Sequence, residues 1–250
     1  MTTAVTIPPE LIVHLRLARH VVVLTGAGIS AESGVPTFRD AQTGLWEQYE
    51  PEELATPQAF QRNPRLVWEW YVWRRGLVQQ AKPNAGHQAL ANLAKMVPKF
   101  TLITQNVDGL HEQAGSQQVI HLHGNIMRTK CIAHNHPVDK WPATDESPPR
   151  CPICHSYLRP DVVWFGENLP VEALHTAVQA ARSCQLFLSI GTSGLVHPAA
   201  SLPLEALQHR IPVVEINPAP TPLTSYADFV LPYAAGVVLP QLVQVLWERP

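Results

Sequence analysis

The chain has 250 residues, of which 46% are hydrophobic and 15% charged, and its formal net charge is −2. That length holds one large domain, or one domain with a small insertion. The charge balance excludes the basic bulk field that drives non-specific nucleic-acid binding, and no apolar run reaches the length of a membrane span. The opening stretch MTTAVTIPPELIVHL lacks a positive region followed by an apolar one, so no signal peptide is expected and the cytoplasm is the expected compartment. The chain has four cysteines, which in that setting point to metal or redox chemistry rather than structural disulfides.

The first apolar run, HVVVLTG at 20–26, is continuous enough for a parallel strand buried on both faces. Residues 41–80 read as helical and aromatic, with Trp46, Trp68, Trp70 and Trp73. NAGHQALANLAKMV (84–97) has a helical period, and FTLITQN (100–106) is the second strand. Residues 125–159 carry three cysteines and five prolines without periodicity. WFG at 164–166 reads as extended, followed by a helix over 169–183, a strand over 184–192, a helix over 197–210 and a strand over 211–217. Strands alternating with helices predict a doubly wound α/β sheet. Residues 41–80 and 125–159 break the alternation and read as insertions that together form a small second domain. The large domain then takes 1–40, 81–124 and 160–250.

Four motifs carry chemistry. After the first strand comes Gly26-Ala27-Gly28-Ile29-Ser30-Ala31, a GxGxxA turn whose glycines let backbone approach a pyrophosphate. The acid that usually binds ribose some 20 residues later is missing, which argues against a simple dehydrogenase. TQNVDGLH (104–111) ends the second strand, and its Gln105, Asn106 and Asp108 suit a carboxamide or a ribose. In VIHLHGNI (119–126), His121 and His123 fall on one face of an extended chain, as a metal pair or with one as a general base. Cys131-x-x-His134 and Cys151-x-x-Cys154 form two ligand pairs suited to a closed, structural tetrahedral zinc, with His136 as the alternative to His134.

Together these motifs, with VVWFGE (162–167), GTS (191–193) and IN (216–217), occur in the order found in sirtuins, and the resemblance covers about residues 18–240. It implies a Rossmann-type large domain, a small domain with a helical module and a zinc module, and an NAD-dependent protein lysine deacylase. Carried over by position, Gly26, Ala27, Gly28, Thr37, Phe38 and Arg39 match the NAD loop. Gln105, Asn106 and Asp108 match the nicotinamide and ribose contacts, and Gly191, Thr192, Ser193, Asn217 and Ala235 the adenosine side. His123 matches the catalytic base. VVWFGE, with Val163, Phe165 and Gly166, matches the strand that pairs with an acyl-lysine peptide. The chemistry implied consumes NAD: the acyl oxygen attacks ribose C1′, nicotinamide leaves, His123 takes a ribose hydroxyl proton, and water completes transfer to give lysine and O-acyl-ADP-ribose. ADP-ribosyl transfer or NAD hydrolysis on the same fold is the alternative.

WYVWRRG (70–76) refines the substrate. On a helix Tyr71 and Arg74 share a face, whereas Arg75 lies around the helix and is expected in solvent. A guanidinium fork beside a phenol suits a carboxylate. In the class III branch of sirtuins, a Tyr-x-x-Arg at this place reads the acid end of succinyl- or malonyl-lysine. The expected protein is therefore a monomer that acts on acyl-lysine proteins or peptides, removing succinyl, malonyl and also acetyl groups, with no direct nucleic-acid or membrane partner. Three places depart from the family pattern: His134 stands where Cys is usual, His121 where an acid is common, and Gly194 and His197 alter the stretch after GTS.

Overall fold

The computed structural model describes residues 5–36, 50–141 and 145–247. Thr37, Phe38 and Arg39 lie outside the described residues. Eight strands are described: β1 (His20–Thr25), β2 (Lys99–Thr104), β3 (Ile120–His121), β4 (Gly124–Cys131), β5 (Leu158–Val162), β6 (Leu186–Ile190), β7 (Val213–Ile216) and β8 (Phe229–Leu231). Six of them form a parallel sheet in the order β3-β2-β1-β6-β7-β8, and β4 and β5 pair antiparallel. This is the doubly wound α/β fold expected from the alternating pattern.

β1 and β6 are buried at every position because helices cover both faces of the sheet. One side is packed by α1 (Pro9–Leu17), α6 (Ala85–Met96) and α10 (Ala235–Trp247), whose Leu11, Leu90 and Leu239 meet Val21, Val23 and Leu188. The other side is packed by α8 (Val171–Ser183) and α9 (Leu202–Gln208), whose Ala177, Ala181 and Ala206 meet Val22, Leu24 and Phe187. The alanines let these helices lie close to the sheet. Among the described residues, no helix is long and apolar enough to cross a membrane.

The chain between β1 and β2 contributes α2 (Gly28–Ala31), α3 (Pro51–Leu54), α4 (Pro57–Arg62) and α5 (Pro64–Gln80). Thr56 and Asn63 cap α4 and α5, each accepting from the third residue of its helix, and a proline opens both. A third cluster joins Phe60, Val67, Trp70 and Tyr71 of these helices to Ile126, Val162 and Trp164. A fourth joins Trp68 to Cys131, Val138, Cys151 and Leu158. The helical and cysteine-bearing stretches therefore share apolar cores.

Two local readings are corrected. Residues 164–166 are not extended. β5 stops at Val162, and a turn closes with Glu167 N–H donating to Trp164 O at 3.0 Å, with Gly166 at φ 88°. Arg75 does not lie in solvent. The β4–β5 register is irregular between Asn125 and Thr129, and residues 126–128 have no register partner on β5 among the described residues. Arg75 fills in there, donating to Ile126 O (2.6 Å), Arg128 O (2.9 Å) and Thr129 Oγ1 (2.9 Å).

Sheet register fixes where a ligand can sit. Thr25 is level with Thr104 and Ile190, Ile190 with Ile216, and Thr104 with His121. The residues that follow these strand ends, Gly26, Gln105, Gly191 and Asn217, therefore emerge along one edge. The strand order reverses between β1 and β6, which is where open α/β sheets bind ligands.

Candidate active site

At that edge the β1 and β6 loops meet backbone to backbone. Gly26 N–H donates to Ile190 O at 3.0 Å and Gly28 N–H to Gly191 O at 2.9 Å. A Cβ at Gly26 would lie 2.7 Å from Gly191 O, and one at Gly191, which has φ 59°, would lie 2.5 Å from Ile29 N. The glycines thus allow loop-to-loop contact as well as a tight turn. Thr192 is buried and bonds Ser189 Oγ at 3.1 Å. Asn217 donates to Ala219 O at 2.7 Å. Ala235 starts α10, where Gly236 N–H donates to Glu32 Oε2 at 2.7 Å. Amides, hydroxyls and close-set backbone along one crevice fit a dinucleotide.

Below the crevice lies a buried polar network centred on Ser30. Its hydroxyl donates to Asp108 Oδ2 at 2.7 Å and accepts from Asn106 Nδ2 at 3.1 Å. Asp108 Oδ1 accepts Leu110 N–H at 2.9 Å, at the start of α7 (Leu110–Gln113). Burial raises the Asp108 pKa, an effect these hydrogen bonds oppose. His87 Nδ1 takes Asn84 N–H at 3.4 Å, so in the neutral ring Nε2 carries the proton and faces Ser30 Oγ at 3.4 Å. Thr25 spends its hydroxyl proton on Thr104, so His111 Nε2 must be the donor to Thr25 Oγ1 at 2.9 Å. Burial holds both histidines neutral, His87 down to about 4 and His111 to about 3. Sequence reasoning passed over Ser30, His87 and His111. The signal was present, because Ser30 lies inside the GxGxxA turn and His111 ends TQNVDGLH.

His121 and His123 do not converge. His121 turns to Glu112 on α7, while His123 Nδ1 meets Gln105 O at 2.9 Å. A carbonyl only accepts, so Nδ1 carries the proton and Nε2 is the basic nitrogen. Burial lowers the His123 pKa and the Gln105 bond partly restores it. His123 is therefore a neutral, oriented base at neutral pH, beside the amide loop that follows β2. Its own carbonyl accepts Val163 N–H at 2.9 Å, and Phe165 N–H donates to Ala55 O at 2.8 Å. Phe165 is 40% exposed at the surface of this turn.

Tyr71 and Arg74 lie on α5 and are both buried. The Arg74 guanidinium is 5.2 Å from the Trp70 ring centroid. Tyr71 Oη accepts Trp164 Nε1–H at 3.0 Å. Burial pushes the Tyr71 phenol well above its ordinary pKa, so it keeps its proton.

The cysteines converge in the cysteine-bearing stretch. Sγ atoms of Cys131, Cys151 and Cys154 and a ring nitrogen of His136 all lie within 4.8 Å of one another. Cys131 and Cys154 sulfurs are 3.8 Å apart, and Cys151 Sγ is 3.9 Å from His136 Nδ1. A tetrahedron with Zn–S bonds of about 2.3 Å has S···S edges of about 3.8 Å, so the donor set fits one structural zinc ion. The fourth donor in this set is His136, not His134. His134 sits inside the knuckle, its N–H donating to Cys131 Sγ at 3.3 Å. Asn135 then turns left-handed at φ 55°, and His136 returns alongside Cys131, whose N–H it accepts at 2.9 Å.

Known proteins resemble this chain over most of its length. The model of the Sir2 family matches residues 26–198. A protein of Aquifex aeolicus named NAD-dependent protein deacylase is 50% identical over 231 residues, covering 92% of this chain and 96% of that protein. One of the same name from Pyrococcus furiosus is 52% identical over 230 residues, covering 89% and 91%. Among solved structures, a Sir2 homolog–NAD complex superposes with a TM-score of 0.91 at 45% identity, covering 99% of this chain and 97% of that one. On the family match and on these identities over nearly full length, the chain belongs to the Sir2 family.

Proposed function

We propose that this chain is an NAD-dependent protein lysine deacylase that removes succinyl, malonyl and acetyl groups from acyl-lysine proteins and peptides, working as a cytoplasmic monomer. The observation that carries the reading is His123: a neutral imidazole with Nδ1 tied to Gln105 O and Nε2 left basic, at the edge where the strand-end loops meet. Relatives that share about half of this chain's residues are NAD-dependent protein deacylases, which suggests the reaction class, and the switch-point crevice suits the dinucleotide.

Each group has a definable task. The Gly26–Gly28 and Gly191–Ser193 loops hold the dinucleotide's phosphates and adenosine. Gln105, Asn106 and Asp108 hold its carboxamide and ribose, and the Ser30 network keeps Asn106 and Asp108 in one rotamer. NAD supplies a ribose carbon that becomes an acceptor when nicotinamide departs. His123 Nε2 takes the ribose hydroxyl proton, and its fixed tautomer means no ring flip is needed first. Val163, Phe165 and Gly166 meet the peptide from the turn after β5, with the Val163 and Phe165 N–H groups already spent on His123 and Ala55. Tyr71 and Arg74 bind the far carboxylate of an acidic acyl group, in a buried setting where a charge-assisted fork is strong. Cys131, His136, Cys151 and Cys154 hold a zinc ion that supports the small domain and takes no part in the reaction.

The test is mass spectrometry of succinyl- and acetyl-lysine peptides incubated with enzyme and NAD. Loss of acyl groups that requires NAD and disappears in His123→Ala is expected. Transfer of labelled ADP-ribose to protein without deacylation would overturn the reading in favour of an ADP-ribosyltransferase.

A further inference from the structure

Trp164 makes a contact that bears on how an acidic acyl group is read. Its indole N–H donates to Tyr71 Oη at 3.0 Å, and the two side chains are 1% and 2% exposed. A phenol carries one proton, and conjugation keeps that proton in the ring plane, on one side of the oxygen or the other. With an indole donating from one side, the proton is left for the other side. Among the described residues no acceptor takes it.

Trp164 is itself held on several sides. The Arg159 guanidinium lies 3.3 Å from its ring centroid. Glu167 accepts from both guanidinium ends, Nη1 at 2.6 Å and Nη2 at 2.8 Å, and also accepts Trp164 N–H at 2.8 Å. Arg159 Nη2 donates in addition to Val162 O at 2.9 Å. Phe60 packs against the indole with ring centroids 5.3 Å apart. This clamp joins β5, the turn that follows it and α4, and α5 carries the phenol.

We propose that Trp164 is a positioning residue for acyl selectivity: its N–H occupies one side of the Tyr71 oxygen and so commits the Tyr71 hydroxyl to donate to the carboxylate of an acidic acyl-lysine. The inference rests on the reading of Tyr71 and Arg74 as the acid-binding pair. A carboxylate offers only acceptors, so a phenol with its proton committed outward binds it without reorganisation. An acetyl group has no such acceptor and gains nothing from the orientation. Losing one hydrogen bond's worth of orientation predicts about a three- to tenfold fall in selectivity.

The experiment compares kcat/KM for one peptide carrying succinyl- or acetyl-lysine. The enzymes are wild type, Tyr71→Phe, Arg74→Met, Trp164→Phe and the Tyr71→Phe/Trp164→Phe double variant. Trp164→Phe is expected to lower the succinyl-to-acetyl ratio about three- to tenfold, chiefly by raising KM for the succinyl peptide. The double variant is expected to match Tyr71→Phe alone, because Trp164 acts through that hydroxyl. A wild-type ratio in Trp164→Phe, or full additivity in the double variant, would overturn the proposal while leaving the acid-binding pair intact. Wild-type ratios in both Tyr71→Phe and Arg74→Met would overturn the acid-binding pair and this proposal with it. Should Trp164→Phe fail to fold, benzothienylalanine at 164 puts sulfur in place of N–H at nearly constant volume, and the same ratios decide.

Discussion

Arg74 and Arg75 are neighbours in sequence with opposite expected roles, and exchanging each for methionine separates them. Arg75 makes three hydrogen bonds from a charged donor, two of them to carbonyls in the irregular stretch of β4. Bonds from charged groups contribute about 1.5–3 kcal/mol each, but water replaces part of the exposed Arg128 contact, and bonds that share one guanidinium do not add in full. Methionine keeps aliphatic packing beside Trp68, whose ring centroid is 5.4 Å from the guanidinium. Retaining the Ile126 bond in full and discounting the others gives a loss of about 2–4 kcal/mol for Arg75→Met. In a chain of this size that lowers Tm by about 4–16 °C. The assay is chemical denaturation together with the succinyl-to-acetyl ratio at a temperature where both variants are folded. Arg75→Met should lose stability and keep the wild-type ratio. Arg74→Met should lower the ratio at least about tenfold, since a carboxylate then loses a charge-assisted partner. A stable Arg75→Met, with a loss under about 0.5 kcal/mol, would refute the claim that Arg75 completes the β4 carbonyls.

Three further outcomes follow from the site. Metal analysis should find about one zinc per chain in wild type and His134→Ala, and loss of it in His136→Ala; the reverse pattern would return the fourth ligand to His134. As the proposed base, His123 acts when neutral, and burial lowers its pKa, so the acid limb of kcat/KM should have its midpoint below the ordinary histidine value of about 6.5. A midpoint above about 7 would contradict that environment. Glu167 is pushed up by burial, but its bonds to Arg159 and Trp164 outweigh this and hold its pKa below the ordinary range. A depressed folded pKa contributes stability above the unfolded value, near 4.3, that is lost as pH falls through the folded one; a pH titration of unfolding should show this loss below about 4.3 in wild type and not in Glu167→Gln.

Much of this was legible because the chemistry sits where strands end. Continuous apolar runs fixed β1, β2, β6 and β7, and the polar residues after each run were the site candidates. Register then set Gly26, Gln105, Gly191 and Asn217 on one edge, which no single stretch of sequence states. What periodicity missed depended on contacts between distant segments. Arg75 looked solvated because helical geometry says nothing of an irregular β4 lying beside it. His136 replaces His134 because one left-handed residue, Asn135, turns the chain back after the knuckle. Ser30 looked like part of a phosphate turn, yet its hydroxyl is spent inward on Asp108, 78 positions away. A hydroxyl's partner is set by tertiary structure, so spacing alone could not reveal it.

The turn after β5 ties these parts together. Val163 N–H holds the carbonyl of His123, Phe165 N–H holds Ala55 near the end of α3, and Trp164 N–H and indole are held by Glu167 and Tyr71. Three successive residues of one short segment therefore reach three neighbours: Val163 the bend that carries His123 between β3 and β4, Trp164 the Tyr71 phenol on α5, and Phe165 the end of α3. A peptide laid along this turn would contact the segment that positions both His123 and Tyr71. Acyl recognition and base placement then share a common support, and a substitution such as Glu167→Gln, which releases Arg159 and the turn, is expected to lower kcat/KM for succinyl and acetyl peptides together. Trp164→Phe should instead divide them. Equal effects of the two substitutions on both substrates, read from the same kcat/KM series, would show that the turn acts only as a structural brace.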